Sequence, residues 1–197
     1  TPTIAARAFV LYDPQSETVL AGQSAGDRYD PASLTKVMTA YVVFNALKEK
    51  KITLTQMVTV SEKAWRAEGS RMFIDIKKPV SVDDLIRGMI VQSGNDATIA
   101  LAEAVAGSEE TFVQLMNKQA QRLGLQNTNF TNSTGLPQPN HHASAEDMAR
   151  LAAALIRDFP EEYKIYAQRD FTYNKITQSN RNRLLWQDPT IDGMKTG

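Results

Sequence analysis

The stretch Leu34–Leu47, LTKVMTAYVVFNAL, is apolar on every side when wound into a helix, with Val37, Met38, Tyr41, Val42, Val43 and Phe44 facing all directions. A helix hydrophobic all round is stable only at the centre of a protein, wrapped by other elements. Asp30-Pro31 opens it, with the proline suited to a first helical turn, and the solvated run Lys48-Glu49-Lys50-Lys51 closes it. Two residues at its start break the pattern. Ser33 and Lys36 are three apart and therefore share one face. A hydroxyl beside an amine in an apolar setting is either a by-product of helix capping or a nucleophile with its base.

At 197 residues the chain can wrap such a helix within one domain or two small ones. Lys plus Arg and Asp plus Glu number 22 each, so the net charge of zero leaves no electrostatic footprint for nucleic acid or anionic lipid. The absence of cysteine excludes disulfides, thiolate metal sites and thiol catalysis. No run approaches the ~18 apolar residues of a membrane span. His141 and His142 are adjacent, have no acidic partner close in sequence, and read as loop residues rather than metal ligands. Nothing calls for a cofactor.

Along the chain, Ala8–Tyr12 and Thr18–Leu20 flank the turn Asp13-Pro14-Gln15-Ser16 and predict a hairpin. Met57–Val60 predicts a short strand. Ser81-Val82-Asp83-Asp84 starts a helix that Ser93-Gly94-Asn95 interrupts; a second follows and ends at Gly107. Ser108 caps a third, stopped by Gly124. Residues 125–143 form a polar loop, Ser144 starts a fourth long helix that breaks near Pro160, and strand character returns from Phe171. Strands at both ends with helices between them predict an α+β fold, the terminal strands forming one sheet packed on a helical cluster.

One S-x-x-K is weak, since average composition supplies about one by chance in a chain of this length. Here there is one, at the head of the most apolar helix, and two further tripeptides follow in order: Ser93-Gly94-Asn95 at a helix break and Lys195-Thr196-Gly197 at the end. The set S-x-x-K, S-x-N, K-T-G resembles the signature of penicillin-recognising serine enzymes. The segments YDPASLTKVMTAYV, LIRGMIVQSGNDA, NRNRLLW and DGMKTG most resemble the low-molecular-mass penicillin-binding proteins that act as D-alanyl-D-alanine carboxypeptidases. The resemblance runs the length of the chain. It implies a β-lactamase/transpeptidase-like fold over residues 1–197, an extracytoplasmic or periplasmic location, removal of the terminal D-alanine from peptidoglycan stem pentapeptides, and covalent inhibition by β-lactam antibiotics.

Carried onto this sequence, the resemblance makes Ser33 the nucleophile and Lys36 its base. Lys36 serves only when neutral, and desolvation, the helix N-terminus and a second cation, Lys195, all lower its pKa. Ser93 relays the proton between Lys36, or Lys195, and the leaving amine, while Asn95 holds Lys36 and the substrate amide. Lys195 and Thr196 attract the substrate carboxylate, and Gly197 lets the substrate backbone lie along the chain. Taken singly, each has a plainer reading as a cap, a snorkelling lysine, a helix break or a strand end; taken together and in order, the catalytic reading is the stronger.

Two rivals differ in specific residues. A class A-like β-lactamase needs a deacylating glutamate between the second and third motifs, and Thr111 to Ala145 contains no Asp or Glu. A transpeptidase shares the acylation step and differs only in the acceptor. The family continues beyond the third motif with further strands, a closing helix, and in many members a second domain and a membrane-anchoring tail. Residues 1–197 are therefore expected to be a truncated piece with an incomplete sheet, or one completed by a companion polypeptide. A non-catalytic peptidoglycan- or penicillin-binding fragment is the reading that an incomplete site would leave.

Overall fold

The structure, a computed structural model, describes residues 3–197. Strands β1 (Phe9–Asp13) and β2 (Thr18–Gln23) form an antiparallel hairpin with a register shift between Leu11 and Tyr12. A 3-10 turn, Ala32–Leu34, leads into α1 (Thr35–Lys48). Strand β3 (Met57–Val58) comes next, then the single turn α2 (Glu62–Trp65), β4 (Val80–Ser81), α3 (Val82–Val91), α4 (Asn95–Ala106) and α5 (Glu109–Arg122). After the long loop come α6 (Ala145–Asp158), α7 (Pro160–Tyr163), the hairpin β5 (Asp170–Tyr173) and β6 (Ile176–Ser179), and α8 (Leu184–Gln187).

The apolar helix is where its sequence requires it. Eleven residues of α1 are buried, from Thr35 through Phe44 and Ala46, and α3, α4, α5 and α6 all pack against it. Of these, α5 and α6 turn an apolar face inward and keep a polar face for solvent, whereas α4 is buried from Asn95 to Ala102 and shares the interior with α1. Their starts are set by serines. Ser81, Ser108 and Ser144 accept hydrogen bonds from the backbone N–H three residues on, at Asp84, Thr111 and Asp147, satisfying donors that a helix N-terminus leaves orphaned. Pro160 starts α7 because it cannot continue α6.

The α+β class stands, but the single terminal sheet does not form among the described residues. The strands make three separate two-stranded ladders, β1–β2, β3–β4 and β5–β6. Phe171, buried on β5, seats the last hairpin against α3, while β1 lies against α6. Residues 189–197 adopt no strand; Gly197 instead lies beside the Pro31–Leu34 turn. No helix among the described residues is long and apolar enough to cross a membrane.

Candidate active site

The first motif is built at the entrance to α1. Ala32 takes a left-handed conformation, φ 47°, and its N–H donates to the Asp30 carboxylate at 3.0 Å. This kink presents Ser33 one turn before Lys36, and the Lys36 Nζ lies 2.9 Å from the Ser33 Oγ. Lys36 is only 1% exposed. Its other partner is the Thr134 carbonyl, also at 2.9 Å. Burial, with the positive charges of Lys195 and Arg181 nearby, lowers the Lys36 pKa to about 7. A substantial fraction of this lysine is therefore the free amine near neutrality. A neutral amine that donates one N–H to Thr134 has its lone pair available for the Ser33 hydroxyl proton.

The loop carrying Thr134 is clamped onto the same turn. Gly135 has φ 89°, and a Cβ there would overlap the Ala32 carbonyl, so only glycine permits this approach. His141 adds a pin that sequence reasoning missed. The Thr131 N–H donates to its Nδ1 at 3.0 Å, which leaves the proton on Nε2 to donate to Thr35 Oγ1 at 2.8 Å. Burial pushes the His141 pKa down and keeps the ring neutral. It belongs to the loop, as its sequence position predicts, but it is a buried structural link to α1. No group of three or more potential metal ligands exists among the described residues.

The second motif occupies the break between α3 and α4. Ser93 has φ 60°, a left-handed conformation that costs a non-glycine residue on the order of 1 kcal/mol and is retained where surroundings enforce it. Its buried Oγ finds no partner among the described residues, and neither does Asn95 Oδ1. The Asn95 side-chain amide donates to the Glu68 carbonyl at 2.7 Å rather than to any group of Lys36. The contact expected of Asn95 with Lys36 is thus taken by Thr134. Gly69, at φ 79°, lets this amide approach; a Cβ there would lie 2.8 Å from Asn95 Nδ2. The next residue, Asp96, accepts from the N–H groups of Met72, Phe73 and Ile74 at 2.9–3.1 Å. That carboxylate bolts segment 70–74 to the start of α4.

The third motif closes the constellation. A cleft of about 240 Å³ is lined by Ser33, Ser70, Ser93, Arg181, Thr196 and Gly197. Lys195 lies near enough to depress Lys36, and its own pKa falls to about 8 through burial and the charge of Arg181. In this structure its Nζ turns to the Thr196 carbonyl at 2.9 Å. Arg181 was not singled out by its sequence context, although it stands in the run Asn180-Arg181-Asn182 between β6 and α8. The two flanking asparagines are buried, which fixes the backbone and sends the arginine between them to the cleft, where it donates to Ser70 Oγ at 3.2 Å. Among the described residues no Asp or Glu side chain lines the cleft. A larger groove of about 670 Å³ lies at the other end of α1, around Phe44, Leu47 and Phe159, away from all three motifs.

With the three motifs converging on one cleft, comparison with known proteins becomes decisive: the sequence profile described as D-alanyl-D-alanine carboxypeptidase matches residues 1–197. The chain belongs to the D-alanyl-D-alanine carboxypeptidase family. This family member is 55% identical over 201 residues to D-alanyl-D-alanine carboxypeptidase DacA of Haemophilus influenzae, an alignment covering 100% of the chain and 51% of that relative. It is 53% identical over 203 residues to D-alanyl-D-alanine carboxypeptidase DacC of Escherichia coli, again covering 100% and 51%. Among solved structures, penicillin-binding protein 5 of Haemophilus influenzae superposes with a TM-score of 0.97 at 54% identity, covering 100% of this chain and 58% of that one. The chain spans about half the length of the curated relatives it matches. The carboxypeptidase family likeness carries the fold class with it, a transpeptidase-like α+β domain.

Proposed function

We propose that this chain carries the catalytic machinery of a serine D-alanyl-D-alanine carboxypeptidase acting on peptidoglycan stem peptides outside the cytoplasmic membrane. The observation that carries the reading is the 2.9 Å contact between Ser33 Oγ and a Lys36 amine whose pKa is lowered to about 7. Lys36 removes the Ser33 proton as Oγ attacks the carbonyl carbon of the penultimate D-alanine. The tetrahedral intermediate collapses by breaking the C–N bond, and the leaving D-alanine amine receives a proton from Lys36 relayed through Ser93. Water then attacks the ester on Ser33, releasing the shortened peptide and restoring the hydroxyl.

The remaining residues divide the recognition. Ser93 Oγ and Asn95 Oδ1 have hydrogen-bonding capacity unused among the described residues, which suits them to the proton relay and to the substrate amide respectively. Lys195, Thr196 and Arg181 present two cations and a hydroxyl to a terminal carboxylate, and Gly197 keeps the wall low for the peptide backbone. A β-lactam, with its own carboxylate and strained amide, fits the same arrangement. The cleft lining offers no carboxylate to activate a deacylating water, so the penicilloyl ester is expected to clear slowly rather than as in a β-lactamase.

Intact-mass measurement after brief exposure to a penicillin tests this directly, with Ser33→Ala as control. The expected result is a persistent adduct of one penicillin on Ser33 and none on the variant. An adduct that disappears within seconds supports the β-lactamase reading, and no adduct supports a non-catalytic binder. The two lysines further predict a narrow bell for acylation against pH. The rate should rise through about 7 as Lys36 loses its proton and fall above about 8 as Lys195 loses the charge that holds the carboxylate. Acylation rates with a chromogenic β-lactam between pH 5 and pH 10 would show it, and a profile flat across that range would remove both lysines from these roles.

A further inference from the structure

The direction of the Lys36 lone pair is set by its second partner. Of the bonds around Nζ, one N–H points to the Thr134 carbonyl, so wherever that carbonyl is held, the lone pair is held with respect to Ser33. Thr134 is 3% exposed and Ser133 fully buried. Their backbone lies between the bridged residues Asn129 and His142 but is not itself part of a bridge, so side chains must fix it. Thr39, one turn beyond Lys36 on α1, donates to the Ser133 carbonyl at 2.6 Å. The other side of Ser133 is taken by a carboxylate. Glu109 Oε1 accepts from the Ser133 N–H at 3.0 Å and from the Ser133 Oγ at 2.7 Å. Its Oε2 pairs with Lys63 Nζ at 2.9 Å.

Glu109 is otherwise hard to account for. It is the first residue of α5 and 8% exposed, and a glutamate is seldom buried unless paired. Burial pushes its carboxyl up, but the two bonds from Ser133 and the Lys63 ammonium outweigh this and hold it below the usual carboxylate range. An ionised, fully engaged carboxylate with two donors from a single residue is a stiff anchor, because hydrogen bonds to charged groups are shorter and stronger than neutral ones.

We propose that Glu109 is a positioning residue for acylation: held by Lys63 on α2, it fixes Ser133 and so aims the Thr134 carbonyl that orients the Lys36 amine toward Ser33. The chain of contacts is continuous, from Lys63 through Glu109, Ser133 and Thr134 to Lys36. It connects the base to Lys63, a half-exposed residue of α2 that is not part of the cleft lining. The inference rests on the serine acyl-transfer reading above.

The test compares the full chain with Glu109→Ala, Glu109→Gln and Ser133→Ala, all checked for folding by circular dichroism. With a chromogenic penicillin, Glu109→Ala is expected to slow acylation roughly ten- to a hundredfold through misplacement of the base, while the affinity of the preceding non-covalent complex changes less than about twofold. The charged groups that depress Lys36 are Lys195 and Arg181, both cationic. Loosening the loop admits water to Lys36, so the acidic limb of the rate profile should also move to higher pH. Glu109→Gln should recover most of the rate, because its amide oxygen still accepts from Ser133. A folded Glu109→Ala protein with unchanged rate and limb overturns the proposal, as does a Gln variant as impaired as Ala. If Glu109→Ala does not fold, Ser133→Ala, which deletes only the hydroxyl bond, must show a smaller rate loss with the same displacement of the limb; no change overturns it. A wild-type chain that forms no adduct defeats the acyl-transfer reading, and ¹³C NMR titration of Lys36 then decides the positioning separately: an unmoved midpoint in the folded variant overturns it.

Discussion

Lys36→Met is expected to abolish acylation by penicillin while making the folded protein more stable at neutral pH. Removing a general base costs about 10²–10⁴-fold in rate, and in the proposed role Lys36 also contacts the nucleophile Ser33, so a loss of at least about 10³-fold is expected. The stability effect follows from proton linkage. In the unfolded chain the lysine titrates near its ordinary value of 10.5, whereas in the folded chain its pKa is about 7. Between those values the unfolded state binds more protons, so stability is full above 10.5, falls as the pH drops, and levels off below about 7. The burial penalty at pH 7 is then on the order of 5 kcal/mol. Methionine fills a similar volume without that penalty but leaves the Thr134 carbonyl unpaired, which returns about 1–3 kcal/mol. A net gain of about 2–4 kcal/mol is expected at pH 7, shrinking as the pH approaches 10. Urea denaturation of both proteins at pH 7, 8 and 9 measures it. Parallel stability curves would mean that burial does not neutralise Lys36.

Asp96→Ala should also lose activity, but with a loss of stability instead of a gain. Its carboxylate is 1% exposed and accepts from Met72, Phe73, Ile74 and its neighbour Ala97. Alanine strands the amides of Met72 and Ile74, whose residues are buried, together with that of Ala97. At about 1–3 kcal/mol for each buried unpaired group, a loss of about 4 kcal/mol is expected. Segment 70–74 then detaches from α4. Ser70 goes with it, and with Ser70 go a partner of Arg181 and the acceptor for the Asn95 N–H. Hydrogen exchange at Met72 and Ile74 should rise by orders of magnitude relative to the core of α1, and acylation should fall with it. Slow exchange retained at those amides would show that the carboxylate is not what holds the rim.

The two variants separate two kinds of residue. Lys36 and Ser93 sit in conformations or environments that the fold tolerates at a cost, the one buried without a counter-ion and the other at φ 60°. Asp96 and Glu109 are the converse, buried carboxylates whose acceptor sites are filled by neighbouring donors and which hold the strained parts in place. Such pairing of strained reactive groups with over-determined supports is how a site keeps its geometry before substrate arrives.

Sequence by itself determined the central helix, because a fourteen-residue stretch with apolar residues on every side has no stable place but the interior. It determined the helix starts at Ser81, Ser108 and Ser144, because a side-chain oxygen at that position satisfies a local donor. It also determined the pairing of Ser33 with Lys36, because three residues along a helix is a distance within one turn. All of these are short-range, and the chain geometry that sets them is the same in any fold. Tertiary structure alone decided the partners that come from far along the chain. The Thr134 carbonyl took the place expected of Asn95 beside Lys36, Arg181 joined the cleft from beyond β6, His141 became a buried pin on Thr35, and the terminal strands stayed in separate hairpins. None of these has a local signature, since a loop carbonyl, an arginine between asparagines or a histidine in a polar loop looks the same in sequence whether or not packing brings it to the site. Which donor meets which acceptor across about a hundred residues of chain is settled by the requirement that buried polar groups find partners, and that requirement acts only once the core has closed.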